Sequence, residues 1–146
     1  MVGVNPYQGK ELKFPVKYRD EIELYCQTRP GGGSKPSSDD SPFPRQVDLW
    51  FLAVCVGVQK KKKGTKVKLY KFITGEVLAN NKSIIDMLGT ISIADTDDPY
   101  VLGKPDEVIK SANEYAAAGV EELLNAMRNG PDKPIWNLTD HIGDLV

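Results

Sequence analysis

The sequence predicts a mainly α fold, a small helical bundle with a short β-hairpin or edge strand near residues 65–73. Three features predict it. Apolar residues recur at three- and four-residue spacing in several segments, most regularly between Pro105 and Gly130. Proline, glycine and asparagine fall at the ends of those segments, where helix starts and stops favour them. One lysine-rich stretch alternates charged with apolar residues, the period of a strand.

Residues 1–16 contain Pro6, Gly9 and Pro15 and show no sustained period, so they read as an arm. Tyr18, Ile22, Tyr25 and Cys26 follow at helical spacing, with Asp20 and Glu23 placed to support a helix start. An N-terminal arm and short helix therefore occupy 1–29. Segment 30–44, PGGGSKPSSDDSPFP, has too little apolar surface to offset its ordering entropy and reads as a flexible linker or loop. The helical domain is expected over 45–146. Within it, QVDLWFLAVCVGV (46–58) is the most hydrophobic segment, with Asp48 placed to cap it and Gly57 near its end. Its β-branched end suits a buried strand as well, but an apolar run of ten residues favours helix. KKKKGTKVKLYKF (60–72) carries seven lysines in thirteen positions, a solvated loop around Gly64 followed by a lysine-protected edge strand. Asn80 or Asn81 then caps a helix with Ile84, Ile85, Leu88 and Ile91 on one face, ending near Asp95. The next helix has Pro105 in its first turn, Asp106 and Glu107 beside the positive end of its dipole, and Gly130 past its last turn. The small Ala116 and Gly119 in its apolar stripe permit a close neighbour. A final short helix carries Ile135, Leu138, Ile142 and Leu145 on one side.

A chain of 146 residues, 40% hydrophobic and 27% charged, can bury a core without a metal or disulfide staple. The longest apolar run, Leu49 to Val58, is half the roughly 20 residues a bilayer needs, and the N-terminus lacks the apolar core of a secretory signal. A cytoplasmic protein without membrane contact is expected. Cys26 and Cys55 have no zinc spacing and read as buried reduced thiols. His141 is the single histidine, so Ser-His and Cys-His triads, HExxH sites and two-His metal sites would all depend on it. It reads as structural. No phosphate-binding glycine loop occurs, and no metal or cofactor is expected. Trp50 and Trp136 read as core anchors.

The net charge of −1 hides an asymmetry: residues 1–75 carry +7 and residues 76–146 carry −8. The candidate nucleic-acid-binding residues are Lys60, Lys61, Lys62, Lys63, Lys66, Lys68 and Lys71, whose contacts with phosphates would release counterions. Arginine, the usual reader of base edges, is absent from the cluster, so such binding would have little sequence preference. The bland alternative is a solvated surface loop. Asp95, Asp97, Asp98 and Asp106 invite a calcium-loop reading that fails at Pro99 and Tyr100, where a ligand and a glycine are required. Helix-capping carboxylates are the expectation. Asn137-Leu138-Thr139 matches a glycosylation sequon but lacks the secretory context.

Two blocks, VDLWFLAVCVGVQKKKKGTK (47–66) and IKSANEYAAAGVEELLNAMRNGPDKPIWNLTDHIGDLV (109–146), resemble in order and spacing the small accessory proteins of bacterial DNA phosphorothioation (Dnd) modification and restriction systems, of the Dnd system-associated protein 4 type. The resemblance runs over about residues 44–146; the chain has Ala118-Gly119 where the family leads one to expect Gly-Gly. It implies a context, antiphage defence linked to DNA modification, and carries over no catalytic residue. The expectation is a non-enzymatic accessory or adaptor protein that docks onto a larger protein of a defence or DNA-modification complex. A DNA-binding module using the Lys60–Lys71 loop is the second reading, and a metal-dependent nuclease built on Asp95, Asp97 and Asp98 the third.

Overall fold

Residues 4–27, 37 and 39–145 are described by the structure, a computed structural model, with side chains described as far as His141. Two strands and five helices occur in the order β1 (Glu11–Pro15), α1 (Arg19–Leu24), α2 (Gln46–Lys60), β2 (Leu69–Thr74), α3 (Lys82–Thr96), α4 (Pro105–Arg128) and α5 (Pro134–Leu145). Mainly α with one short sheet is the predicted class. None of the described helices is long and apolar enough to cross a membrane.

The centre is α2 packed on α4. Helix α2 buries Val47, Leu49, Trp50, Ala53, Val54, Val56 and Gly57, which together surround most of its axis, so it is a core helix and its sequence shows little amphipathic period. It starts one turn before Asp48. That carboxylate sits at the third helical position and accepts from the Arg45 backbone N–H at 2.9 Å while also binding the Arg45 guanidinium. Helix α4 buries a single stripe running from Val108 to Met127. Where the two cross, side chains vanish. A Cβ on Gly57 would run into the Tyr115 carbonyl, and one on Gly119 into the Ala53 carbonyl and the Gly57 N–H. Ala116–Gly119 thus provides the close approach expected of it, and Gly57 serves the same contact rather than ending α2. The stop falls at Lys61, which takes the left-handed conformation at φ 55°. Its N–H bonds the Val58 carbonyl at 3.1 Å and the next N–H bonds that of Gly57 at 3.0 Å, a Schellman arrangement without glycine.

The expected arm over 1–16 is corrected by the structure: residues 11–15 are β1, antiparallel to β2 with Leu12 opposite Ile73, Lys13 opposite Lys71 and Phe14 opposite Tyr70. The register slips by one residue at Phe72, whose ring stacks on Phe14 at 4.5 Å. Leu12 and Phe14 are fully buried and belong to the same core cluster as Trp50 and Leu123. The far edge of β1 is closed by one side chain of α4. Asn113 accepts from the Lys13 N–H at 2.8 Å and donates to the Glu11 carbonyl at 3.0 Å, as a neighbouring strand would. The same amide oxygen takes the Trp50 indole N–H at 3.1 Å, joining α2, α4 and β1 at one buried point.

Of the expected linker, residues 30–36 and 38 lie outside the described residues. Its last part is packed: Phe43 is buried and bridges Cys26, and the Ser41 hydroxyl donates to the Leu24 carbonyl at 2.7 Å. Helix α3 begins after Asn81 as expected, without a capping bond from that side chain. Gly130 lies past the last turn of α4 as expected, but without the left-handed conformation of a glycine stop. Asn129 leaves the helix in an extended conformation, and Gly130 is small because the Asn137 amide lies against it. Asn137, the sequon asparagine, is buried and fastens α5 through bonds to the Met127 and Asp132 carbonyls at 3.1 and 2.8 Å. In α5, Leu138 is buried, while the side chains of Ile142 and Leu145 lie outside the described residues.

Because backbone carbonyls cannot yield as flexible side chains do, Gly119→Ala is expected to destabilise the fold by about 3 kcal/mol, lowering the melting temperature by roughly 6–10 °C. Gly103→Ala, where a methyl group meets open space, should stay within about 0.5 kcal/mol of the parent. Thermal melts followed by circular dichroism compare the two; equal losses would contradict the crossing.

Candidate site: the lysine-rich segment and its acidic clasp

Seven lysines selected on charge alone divide into separate groups in space. Lys60 ends α2 and is half-buried; Lys61 is the left-handed residue that follows. Lys62 lies 3.9 Å from Glu122, and Lys63 pairs with Asp95 at 2.8 Å while its ammonium sits 5.0 Å from the centre of the Tyr115 ring. Gly64 then bonds through its N–H to the Glu114 carbonyl at 2.8 Å. Residues 62–64 are therefore laid along α4. Beyond them Lys66 and Lys68 are exposed in the loop, and Lys71 is exposed on β2. Among the described residues Lys61, Lys66, Lys68 and Lys71 have no ion-pair partner.

The arrangement is held by Asp95, in the last turn of α3. Its carboxylate accepts from Lys63, from the Tyr115 hydroxyl at 2.5 Å and from the Ser111 hydroxyl at 3.2 Å. Partial burial alone would raise its pKa, but the bonds from Lys63, Tyr115 and Ser111 outweigh it and hold the carboxyl below its ordinary range. Burial and the bond to Asp95 push the Tyr115 phenol up to about 12. Sequence spacing placed Asp95 among helix caps; instead it clasps the lysine segment to α3 and α4. The other acids of that string do separate work. Asp97 ends α3 at φ 55°, Asp98 caps the next turn by accepting from the Tyr100 N–H at 2.9 Å, and Asp106 pairs with Lys10 at 2.7 Å. No group of three metal-ligating side chains occurs among the described residues.

Two aromatic and thiol expectations change. Trp50 is fully buried, but Trp136 is 55% exposed and anchors no core. Cys26 is buried, whereas Cys55 is half-buried, its thiol pushed up by desolvation. His141 lies 3.2 Å from the Asn129 carbonyl.

Sequence reasoning missed Lys10 and Lys13, because both lie in the segment read as an arm. They line a groove of about 550 Å³ between β1, α4 and residues 64–69, facing Lys110, Thr65 and Asn113. Charged Glu11 and Lys13 alternating with apolar Leu12 and Phe14 was the available signal. Also missed were the exposed apolar residues Met87, Tyr100 and Leu102 on α3 and the turn at residues 99–103.

Asp95→Asn removes the charge that holds Lys63, and trypsin should then cut after Lys62 and Lys63 faster than in the parent at neutral pH. The sign with pH follows from the lowered pKa. The clasp's contribution is complete above the ordinary carboxyl value near 3.8 and disappears as pH falls through the lowered folded-state value. Any difference in melting temperature between parent and variant should therefore be constant from about pH 5 to 8 and vanish in stronger acid. A difference that instead grows in acid would contradict the assignment.

The family described as DNA sulphur modification system-associated protein 4 matches residues 34–139. No curated protein and no solved structure matches the chain. Strand β1 and α1 precede the matched span, which takes in the glycine crossing, the whole lysine segment and the Asp95 clasp. On that match, covering nearly three quarters of its length, the chain belongs to the DNA sulphur modification system-associated protein 4 family.

Proposed function

We propose that the chain serves the sulphur modification system as a non-enzymatic accessory protein, acting in the cytoplasm through contacts with a larger protein of that system. The observation that carries this reading is the apolar surface of α3 and the turn after it. Helix α3 fully buries only Leu88, Gly89 and Ser92, and leaves Ile84, Ile91 and Ile93 half covered. Met87 is 46% exposed, Leu102 51% and Tyr100 83%. Single exposed apolar residues are ordinary, but two large ones, Tyr100 and Leu102, stand out within the five-residue turn that follows α3, with Leu102 against Gly89 of that helix. Exposed apolar residues brought together in this way are what a partner covers. Tyrosine is also one of the residue types enriched among the anchors of such contacts. Replacing Tyr100 and Leu102 together by Glu is expected to leave the melting temperature nearly unchanged. The same change should abolish co-purification with the other products of the modification genes. Undiminished co-purification would sink the proposal.

A second reading, DNA binding, is supported by Lys61, Lys66, Lys68 and Lys71, which are exposed and have no ion-pair partner among the described residues. Because Lys62 and Lys63 already serve Glu122 and Asp95, and Lys60 is half-buried at the end of α2, four phosphate contacts are expected rather than seven. On a B-form duplex the log-log salt slope should be about −3.6, where seven contacts would give about −6.3. Gel shifts across a salt series measure it. A slope near the steeper value, or binding unchanged after Ala replaces Lys66, Lys68 and Lys71, would exclude this arrangement.

A further inference from the structure

The sheet is closed on one side and open on the other. Asn113 occupies the far edge of β1 by bonding the Lys13 N–H and the Glu11 carbonyl. In an antiparallel ladder, residues facing each other share orientation: both turn their backbone groups toward the partner strand or both turn them away. Lys13 turns away from β2, so Lys71 opposite it turns away from β1, and Leu69 opposite Pro15 does the same. The intervening set points inward, as the bond from the Val16 N–H to the Lys68 carbonyl at 2.9 Å shows. Among the described residues β1 is the only strand paired with β2, and nothing bonds Leu69 or Lys71 on the outer side.

The chemistry along this edge selects what can cover it. Lys66, Lys68 and Lys71 follow it, exposed and, among the described residues, without a carboxylate partner, while Val67 and Ile73 are each 37% exposed. A second copy pairing through β2 would set these lysines against their own counterparts, and like charges facing each other across strands repel. A nucleic acid answers the ammonium groups but leaves the backbone donors and acceptors of Leu69 and Lys71 without a ladder. A chain with main-chain groups to extend the ladder and carboxylates to face the lysines answers both requirements. We propose that the outer edge of β2 docks an extended acidic segment of a partner protein, which joins as the third strand. This surface is separate from the apolar one of α3, and its test uses the purified chain alone, so its failure leaves the docking reading built on α3 untouched.

The probes are an octapeptide of alternating glutamate and valine, its lysine–valine counterpart and a short DNA duplex, each titrated into isotope-labelled full chain and followed by amide resonances. The acidic peptide should shift the Leu69 and Lys71 amides and slow their hydrogen exchange, while the basic peptide leaves them unmoved. Lys71→Pro deletes the outward N–H and keeps the inward ladder, as proline on an edge strand can. It should weaken acidic-peptide binding by roughly tenfold. Should that variant unfold, the pair Lys68→Glu and Lys71→Glu replaces it and is expected to reverse the preference to the basic peptide. Three outcomes overturn the proposal: no response to the acidic peptide, stronger binding of the duplex than of the peptide at these same amides, or concentration-dependent shifts of these amides in the free chain.

Discussion

Everything in this fold is arranged around the contact of α2 with α4 through Gly57 and Gly119. Because no side chain separates the helices there, backbone meets backbone at Ala53, Gly57 and Tyr115. That fixes the height of one helix along the other with little latitude, since carbonyls cannot rotate away as side chains do. Two consequences extend from it. Trp50, on α2, is held level with Asn113, on α4, so that one amide meets the indole and the edge of β1 together. The end of α2 is delivered close to the side of α4, so that the lysines after it run past Glu114, Glu122 and, from α3, Asp95.

The charge asymmetry of the chain is partly resolved inside the fold. Lys10 reaches Asp106, Lys62 reaches Glu122 and Lys63 reaches Asp95, each pair joining the basic first half to the acidic second. Arg128 to Glu21 at 2.9 Å runs in the opposite sense and ties α1 to the end of α4. Such partly exposed pairs add little stability one by one. Their effect is on alignment: they choose which lysines stay bound to the protein and which project from it. The projecting set is smaller than a count of lysines suggests, and it is concentrated at β2 and the loop before it.

The helices were legible because their signals are local. Pro105, Asp106 and the stripe beginning at Val108 specify α4 without reference to other parts of the chain, and Asn81 marks α3. Strand β1 was not legible, because five residues between Gly9 and a 3-10 turn carry too short a pattern and become a strand only by pairing with residues about sixty positions later. The glycines near the helix ends stand where expected, but how those helices stop was not legible, for a related reason. Lys61 and Asn129 end helices through their surroundings, while Gly57 and Gly130 are small to admit a neighbour. In the candidate site the lysines could be found by charge, but Asp95, Ser111 and Tyr115 come from two helices, and only packing joins them to Lys63.

The span between β1 and β2 bears on how the chain assembles. Glu11 and Thr74 face each other with all of α1 and α2 between them, so the sheet cannot form as a local hairpin and closes a long loop instead. Pairing of this kind is slow compared with helix formation. At about 5–20 residues per second of synthesis, β1 is made several seconds before β2 exists to receive it. Through that interval Leu12 and Phe14, both bound for the core, have no partner strand. The glutamate and lysine that alternate with them keep the nascent segment from being a uniformly apolar ribbon, and so act on behalf of the chain before it has folded at all.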